Sequence, residues 1–196
     1  MGFGAPEIKI IQDTWEVVKT LPTETVGGLL FKHIFEQADS VSAMFSFGRK
    51  PGFDPTPDAV AANPDVTAHG KKVVDTVSVA ISMLTDLPKL VPVLKDLGAK
   101  HAKYGVAAAH YPVVGGAFLK TLSVGLGEAY TEEVAAAFTA MWGVVESTML
   151  AGVAEAEELK WGCYSKPQDA KQEELVKASI ESADDWYANA SATGRG

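Results

Sequence analysis

Two histidines on apolar helical faces are the residues of this sequence best suited to chemistry. His69 heads a stripe that continues through Val73 and Val77, and His101 ends a stripe that begins at Leu90. Steps of three and four residues keep each set on one side of a helix. Leucine usually occupies such core positions, because a buried imidazole must satisfy both ring nitrogens. Either histidine alone could be a hydrogen-bonded, half-exposed residue, but the pair favours a metal site between two helices.

The residues around this pair indicate which metal group it would hold. No cysteine or carboxylate shares the two faces, and zinc normally takes three or four protein ligands. A haem iron needs only axial ligands from the protein, because the porphyrin supplies the other four. Its flat apolar surface also needs a slot lined by aromatic and aliphatic side chains, with basic groups at the mouth. We therefore expect a haem, with Lys72 at the mouth of a slot lined by Phe31, Phe45, Val73, Leu97 and Val106.

Helical spacing recurs along the chain, and no alternating run is long enough for a strand, so the sequence predicts an all-α fold. Four prolines between residues 44 and 65 predict a long irregular connection there rather than a helix. The other breaks divide the chain into helices whose expected first residues or caps are Pro22, Thr67, Pro112 and Thr131. His69 and His101 then lie on successive helices joined at a proline.

Gly27 and Gly70 fall inside predicted helices, where each costs roughly 0.5 to 1 kcal/mol relative to alanine. Close contact between two helices would explain them, whereas the alternative is that either glycine marks a frayed turn. Gly70 directly follows His69, so a close contact there would fix the depth of the His69 side chain.

Composition limits the remaining classes of function. The chain has 196 residues, of which 47% are hydrophobic, and a formal net charge of -8. This suits a soluble domain that repels phosphate backbones, so we expect no nucleic-acid partner. The single cysteine, Cys163, excludes an intrachain disulfide. No signal sequence and no uninterrupted apolar run of about 18 residues are found, which predicts a cytoplasmic protein without a membrane span.

The chain resembles the globin family, and within it the neuroglobin-type members. The resemblance covers about residues 5 to 154 and is carried by "IQDTWEVVK", "GGLLFKHIFEQ", "MFSF", "HGKKVVDTV", "LGAKHAKYGV" and "FTAMWGVV". Trp15 matches the tryptophan of the first globin helix, and Phe45 matches the phenylalanine that stacks on the haem. The resemblance implies a globin domain over 1–154, with about eight helices around a haem pocket, followed by a polar acidic extension over 155–196. That extension could be a packed or partner-binding helical arm or could be disordered.

The resemblance also implies roles for individual residues. His101 would be the proximal iron ligand, and its other ring N–H would donate to the carbonyl of Leu97, one turn back. His69 would be either a second axial ligand, giving hexacoordinate iron, or the group that meets a gas ligand. Phe47 stands where neuroglobins often have tyrosine, so a hydroxyl contact to the haem edge is missing. The full set of expected contacts to haem b (iron protoporphyrin IX) is Phe31, Phe45, Phe47, His69, Lys72, Val73, Leu97, His101, Val106 and Tyr111. Of the other histidines, His33 and His110 are expected at the surface.

Three functions remain open on this reading. The first is a protein that reversibly binds O2, NO or CO for storage, sensing or electron exchange. The second is an enzyme that uses the same iron, such as a nitric oxide dioxygenase or a nitrite reductase, which would need an external reductase. The third is a haem-free scaffold or sensor, against which the two histidines argue. A homodimer could also form.

Overall fold

The computed structural model describes residues 4–161, and all regular structure in this range is helical. The all-α prediction is therefore confirmed for this part of the chain. Its seven α-helices are α1 (Ala5–Val18), α2 (Thr23–Gln37), α3 (Pro57–Ala62), α4 (Pro64–Ser82), α5 (Leu87–Lys103), α6 (His110–Leu126) and α7 (Glu132–Trp161). Three short 3-10 helices cover Asp39–Met44, Phe47–Arg49 and Gly127–Ala129.

Local capping explains where these helices begin. The Asn63 side chain accepts hydrogen bonds from the backbone N–H groups of Asp65, at 2.9 Å, and Val66, at 3.4 Å. With this cap α4 begins at Pro64, three residues before the predicted Thr67. Proline is tolerated at the first helical position because the backbone N–H that it lacks would have no partner there. Thr131 caps α7 as predicted, because its Oγ1 accepts from the N–H of Val134 at 3.3 Å.

The connection between residues 44 and 65 is more ordered than the sequence predicts. It contains the 3-10 helix Phe47–Arg49 and the short helix α3. Pro57 lies in the first turn of α3, where proline is tolerated, and Val60 of α3 is fully buried. The prediction of a wholly irregular connection is therefore wrong, because the prolines begin a helical turn instead of preventing one.

The helices form two extensive pairs, α2 with α4 and α5 with α7. The α2–α4 pair confirms the predicted glycine contact. A Cβ on Gly27 would lie 2.7 Å from the Cα of Gly70, and one on Gly70 would lie 2.6 Å from the Cα of Gly27. Real side chains do not approach a backbone this closely, so only glycine permits the two helices to meet at this point.

Helix α7 is both the longest helix and a wall of the core. Its stretch Glu132–Glu158 is long and apolar enough to cross a membrane, judged by length and composition only. In the fold it packs against α1, α5 and α6 and buries Phe138 and Met141 almost completely. Core helices of globular proteins share this composition, and the absence of a membrane span stays a prediction.

The same helix continues without a break past residue 154, the predicted end of the domain, to Trp161. Most of the predicted extension, including Cys163, lies outside the described residues. Its boundaries and its role stay predictions.

Candidate functional site

A cavity of about 700 Å³ opens between α2, α4, α5, α6 and α7. This volume is within the range of sites that enclose small molecules and cofactors. All ten residues predicted from the sequence to contact a cofactor line it, namely Phe31, Phe45, Phe47, His69, Lys72, Val73, Leu97, His101, Val106 and Tyr111. The fold thus brings the whole predicted set together around one space, while the role of each toward a cofactor stays a prediction.

His101 reaches the cavity from the last turn of α5 and is oriented by its own helix. Its Nδ1 lies 2.8 Å from the carbonyl oxygen of Leu97, one turn earlier. A carbonyl only accepts hydrogen bonds, so Nδ1 carries the proton and donates it. The expected partner is confirmed, and the other ring nitrogen, Nε2, keeps its lone pair for a metal ion.

His69 projects from α4 into a group of three phenylalanine rings. Its ring centroid lies 5.5 Å from those of Phe31 and Phe45 and 5.9 Å from that of Phe47, each in an edge-on arrangement. Phe45 and Phe47 stack on each other at 5.0 Å. Burial among these apolar rings lowers the pKa of His69, and the positive charge of Lys72 lowers it further. His69 is therefore a neutral imidazole near neutral pH, able to offer a lone pair or an N–H.

The charged groups along the cavity are of one sign. Among the described residues that line it, Arg49 and Lys72 are the charged side chains other than histidine, and both are cationic. Arg49 is held in place because its Nη1 donates to the backbone carbonyls of Ala43, at 3.0 Å, and Met44, at 3.1 Å. A ligand with an apolar body and an anionic edge would match this lining.

The donor set fits a haem better than a bare metal ion. In the part of the chain that the structure describes, no group of three or more His, Cys, Asp or Glu side chains could hold a metal ion. His69 and His101 can provide axial ligands only, so the metal must bring its remaining ligands with it. The size of the cavity and its two cations suit a porphyrin and its carboxylates.

The structure also adds lining residues that the sequence analysis did not assign to the site. Helix α7 contributes Met141, Trp142, Val145 and Met149, and other additions include Arg49, Tyr104 and His110. The four-residue steps from Met141 to Val145 and Met149 place these side chains on one face of a helix, but a core face and a cavity wall have the same pattern. Trp142 gave no periodic signal of its own.

Tyr111 forms part of the wall at the start of α6. Its ring is 6% exposed, and its hydroxyl is buried without a hydrogen-bond partner, as is the indole N–H of Trp142. Burial raises the pKa of Tyr111, and the nearby charge of Glu146 raises it further. The phenol therefore stays neutral and presents an uncharged aromatic surface.

The two histidines expected at the surface are placed differently. His33 is 3% exposed, and its Nδ1 lies 2.9 Å from the Thr121 hydroxyl on α6, so the surface prediction is wrong. The reason is tertiary, because α6 covers the side of α2 that a single-helix pattern leaves outside. His110 is half-buried at the first position of α6, where it lines the cavity and its Nδ1 accepts from the N–H of Ala107 at 3.0 Å.

Comparisons with known proteins show which family the chain resembles. A family model for globins matches residues 28–149. The chain is 33% identical over 153 residues to neuroglobin of Danio rerio, an alignment that covers 77% of this chain and 92% of the relative. It is 34% identical over 143 residues to the anaerobic nitrite reductase AHB2 of Arabidopsis thaliana, which covers 71% of this chain and 86% of that protein.

Proposed function

This chain belongs to the globin family, and from that membership we propose that it holds haem b between His101 and His69 and reversibly binds O2, NO or CO. The observation that carries the proposal is the pairing of these histidines across one apolar cavity. His101 is oriented through Leu97 with its Nε2 free, and His69 is kept neutral by burial. Storage, sensing and electron exchange are all compatible with this chemistry.

Different residues of the chain would hold different parts of the haem. His101 would provide the proximal ligand, and the Leu97 carbonyl, by accepting its Nδ1 proton, would make the imidazole a stronger donor. Lys72 and Arg49 would pair with the propionates at the mouth. Phe31, Phe45 and Val73 would exclude water from the distal side. When bound, the haem supplies an iron at which a diatomic gas coordinates.

His69 is proposed as the sixth ligand in the resting protein, as in a hexacoordinate globin. Its ring lies in the cavity with a lone pair available at neutral pH, and contact with Phe31, Phe45 and Phe47 limits its rotation. An external ligand would then bind only while His69 is displaced, so apparent affinity falls by the fraction of time that the site is open. With His69 displaced, its N–H could instead donate to the gas ligand.

Absorbance spectroscopy after reconstitution with hemin tests the proposal. We expect a stoichiometric Soret band, and a low-spin ferrous spectrum without added ligand. His101→Ala should remove stable attachment, whereas His69→Leu should keep the haem and give a high-spin ferrous form that binds CO faster than the wild type does. A colourless wild-type protein would contradict the proposal, and a His69→Leu spectrum identical to that of the wild type would contradict hexacoordination alone.

A second candidate is reduction of nitrite, which the similarity to the anaerobic nitrite reductase favours. Conversion of nitrite to NO and water consumes one electron and two protons, so an external reductase would have to supply the electron. Because each conversion consumes two protons, acid favours the reaction. Anaerobic NO release from nitrite and dithionite should therefore increase as the pH falls, and a rate no higher than that of free hemin would reject this activity.

A further inference from the structure

Helix α5, which carries His101, meets α7 at a reciprocal contact between backbones. A Cβ on Gly98 of α5 would lie 2.7 Å from the carbonyl carbon of Met149. A Cβ on Gly152 of α7 would lie 2.5 Å from the carbonyl carbon of Lys95. Each glycine therefore leaves room for a carbonyl group of the other helix, and the obstructing atoms are backbone atoms that no side-chain rotation can move.

This contact lies next to the hydrogen bond that orients His101. The Leu97 carbonyl that accepts the Nδ1 proton belongs to the peptide unit joining Leu97 to Gly98. The peptide group is planar and rigid, so a fixed Cα at Gly98 also limits movement of that carbonyl. The α5–α7 contact at Gly98 therefore adjoins the peptide unit whose carbonyl, that of Leu97, accepts the His101 proton.

Neighbouring residues hold the two helices in the same register. Lys95, whose carbonyl faces Gly152, also forms an ion pair through its ammonium with Glu155 of α7. Met149, whose carbonyl faces Gly98, is 8% exposed, and its side chain lines the cavity. One short segment of α7 therefore contacts both the backbone behind His101 and the space in front of it.

We propose that Gly98 and Gly152 are positioning residues for His101: their backbone contact fixes the Leu97 carbonyl and with it the direction and distance at which Nε2 meets the iron. The inference rests on the proposed haem function. A methyl group at either glycine must separate α5 from α7, since interiors are too closely packed to absorb it in place. The separation would strain or lengthen the bond between His101 and the iron.

Resonance Raman spectroscopy of the ferrous protein reports that bond directly. The comparison uses a His69→Leu background, so that His101 is the histidine of α4 and α5 that can still bind the iron. In this background we would compare Gly98→Ala and Gly152→Ala with Gly143→Ala. Gly143 lies in α7 too, but a Cβ there would meet nothing within 4 Å. We expect Gly98→Ala and Gly152→Ala to shift or broaden the iron–histidine band and to accelerate haem loss to an acceptor, and Gly143→Ala to match the background protein.

A variant in which the imidazole is not attached to α5 tests whether the glycines affect the iron–histidine band by positioning His101. In the same His69→Leu background, His101→Gly with free imidazole added has an axial ligand that is no longer joined to the helix. Adding Gly152→Ala to this protein should leave the iron–imidazole band unchanged if the glycine acts by positioning His101. An equal shift with and without the attachment would indicate general damage to the cavity and would overturn the inference.

Hydrogen exchange in the wild-type holoprotein tests the contact even if the alanine variants do not fold. If α7 holds α5, the amides of residues 94–101 and 148–155 should open as one unit and exchange at similar rates. Exchange of residues 94–101 more than about tenfold faster than that of 148–155 would show that α5 moves independently, and would overturn the inference.

The two proposals can fail separately. A wild-type protein that takes up no hemin would contradict the proposed function. A protein that binds haem through His101, but whose Gly98→Ala and Gly152→Ala bands match that of Gly143→Ala, would contradict only the positioning role.

Discussion

His33, His69 and His101 share one side-chain chemistry but face different partners. His101 donates to a backbone carbonyl and keeps one nitrogen toward the cavity. His69 is surrounded by phenylalanine rings. His33 must donate to Thr121, because the hydroxyl proton of Thr121 is already given to the carbonyl of Ala117 at 2.7 Å. The first two therefore suit binding, whereas the third joins α2 to α6 as a neutral structural group.

His33 should make the stability of the fold depend on pH. Burial lowers its pKa below 6.5, Lys120 and Lys32 lower it further, and Glu36 opposes them. Between the two pKa values the unfolded chain binds a proton that the folded protein does not, so the free energy of unfolding falls as the pH drops below about 6.5. His33→Gln should lessen this slope, which for one group is at most about 1.4 kcal/mol per pH unit.

Urea unfolding at a series of pH values measures this slope. The series should extend from about pH 7.5 to about pH 5, because histidine titrates in this range. The Gln side chain can still donate to Thr121, so the two proteins should have similar stability at the upper end of the range. Parallel curves for wild type and His33→Gln over the whole range would show that His33 contributes nothing to the acid sensitivity.

Lys72 allows a test of the charged mouth of the cavity. If its ammonium pairs with a haem propionate, Lys72→Gln should accelerate haem loss about two- to fivefold at low ionic strength, the size expected of an exposed ion pair. Salt should reduce the difference, because such pairs are screened. Transfer of haem to an excess of acceptor protein gives the rate of haem loss. Equal rates for the wild type and Lys72→Gln at low salt would contradict the pairing of Lys72 with a propionate.

At the scale of elements, glycines decide how closely the helices carrying the histidines approach their neighbours. Gly70 on α4 meets Gly27 on α2, and Gly98 on α5 meets α7 at the segment containing Gly152. In both cases the contact lies within three residues of a cavity histidine. We therefore expect helix packing distance, more than local helix propensity, to set the depth of both imidazoles.

Replacing Gly70 should destabilise the α2–α4 pair. Its new Cβ would lie 2.6 Å from the backbone of Gly27, and overpacking of this kind typically costs about 1 to 3 kcal/mol. Gly143→Ala is the matched control, since its Cβ has open space and the helix should gain roughly 0.5 to 1 kcal/mol from alanine. Denaturant unfolding of the holoproteins compares them, and a Gly70→Ala variant as stable as Gly143→Ala would contradict the prediction.

At the scale of the whole molecule, the cavity is built from five helices spread along most of the described chain. Its lining extends from Leu30 to Met149, and the buried hydrophobic core of the described chain extends from Ile11 to Met149. The net charge of -8 contrasts with the cationic lining of the mouth, so the positive potential there is local rather than a property of the surface as a whole.

This distribution predicts that residues 162–196 are dispensable for the site. A chain that ends at Trp161 keeps all the described residues that line the cavity, and it keeps the glycine contacts between α5 and α7. We expect it to bind hemin with the stoichiometry and Soret maximum of the full chain and to unfold within a few degrees of it. Loss of hemin binding on truncation would contradict the division of the chain at about residue 154.

The sequence by itself determined the helical fold of the described residues, the two cavity histidines and six further lining residues, while the resemblance to globins supplied Phe47 and Tyr111. Helical periodicity places residues on a face, and the spacing of Leu97 and His101 defines a hydrogen bond within one helix turn, so both follow from local geometry. Tertiary structure alone decided that α6 buries His33, that α7 supplies Trp142 to the cavity wall, and that Gly98 and Gly152 bring α5 and α7 into backbone contact. These features depend on which helix covers which face, and no periodicity within one segment contains that information.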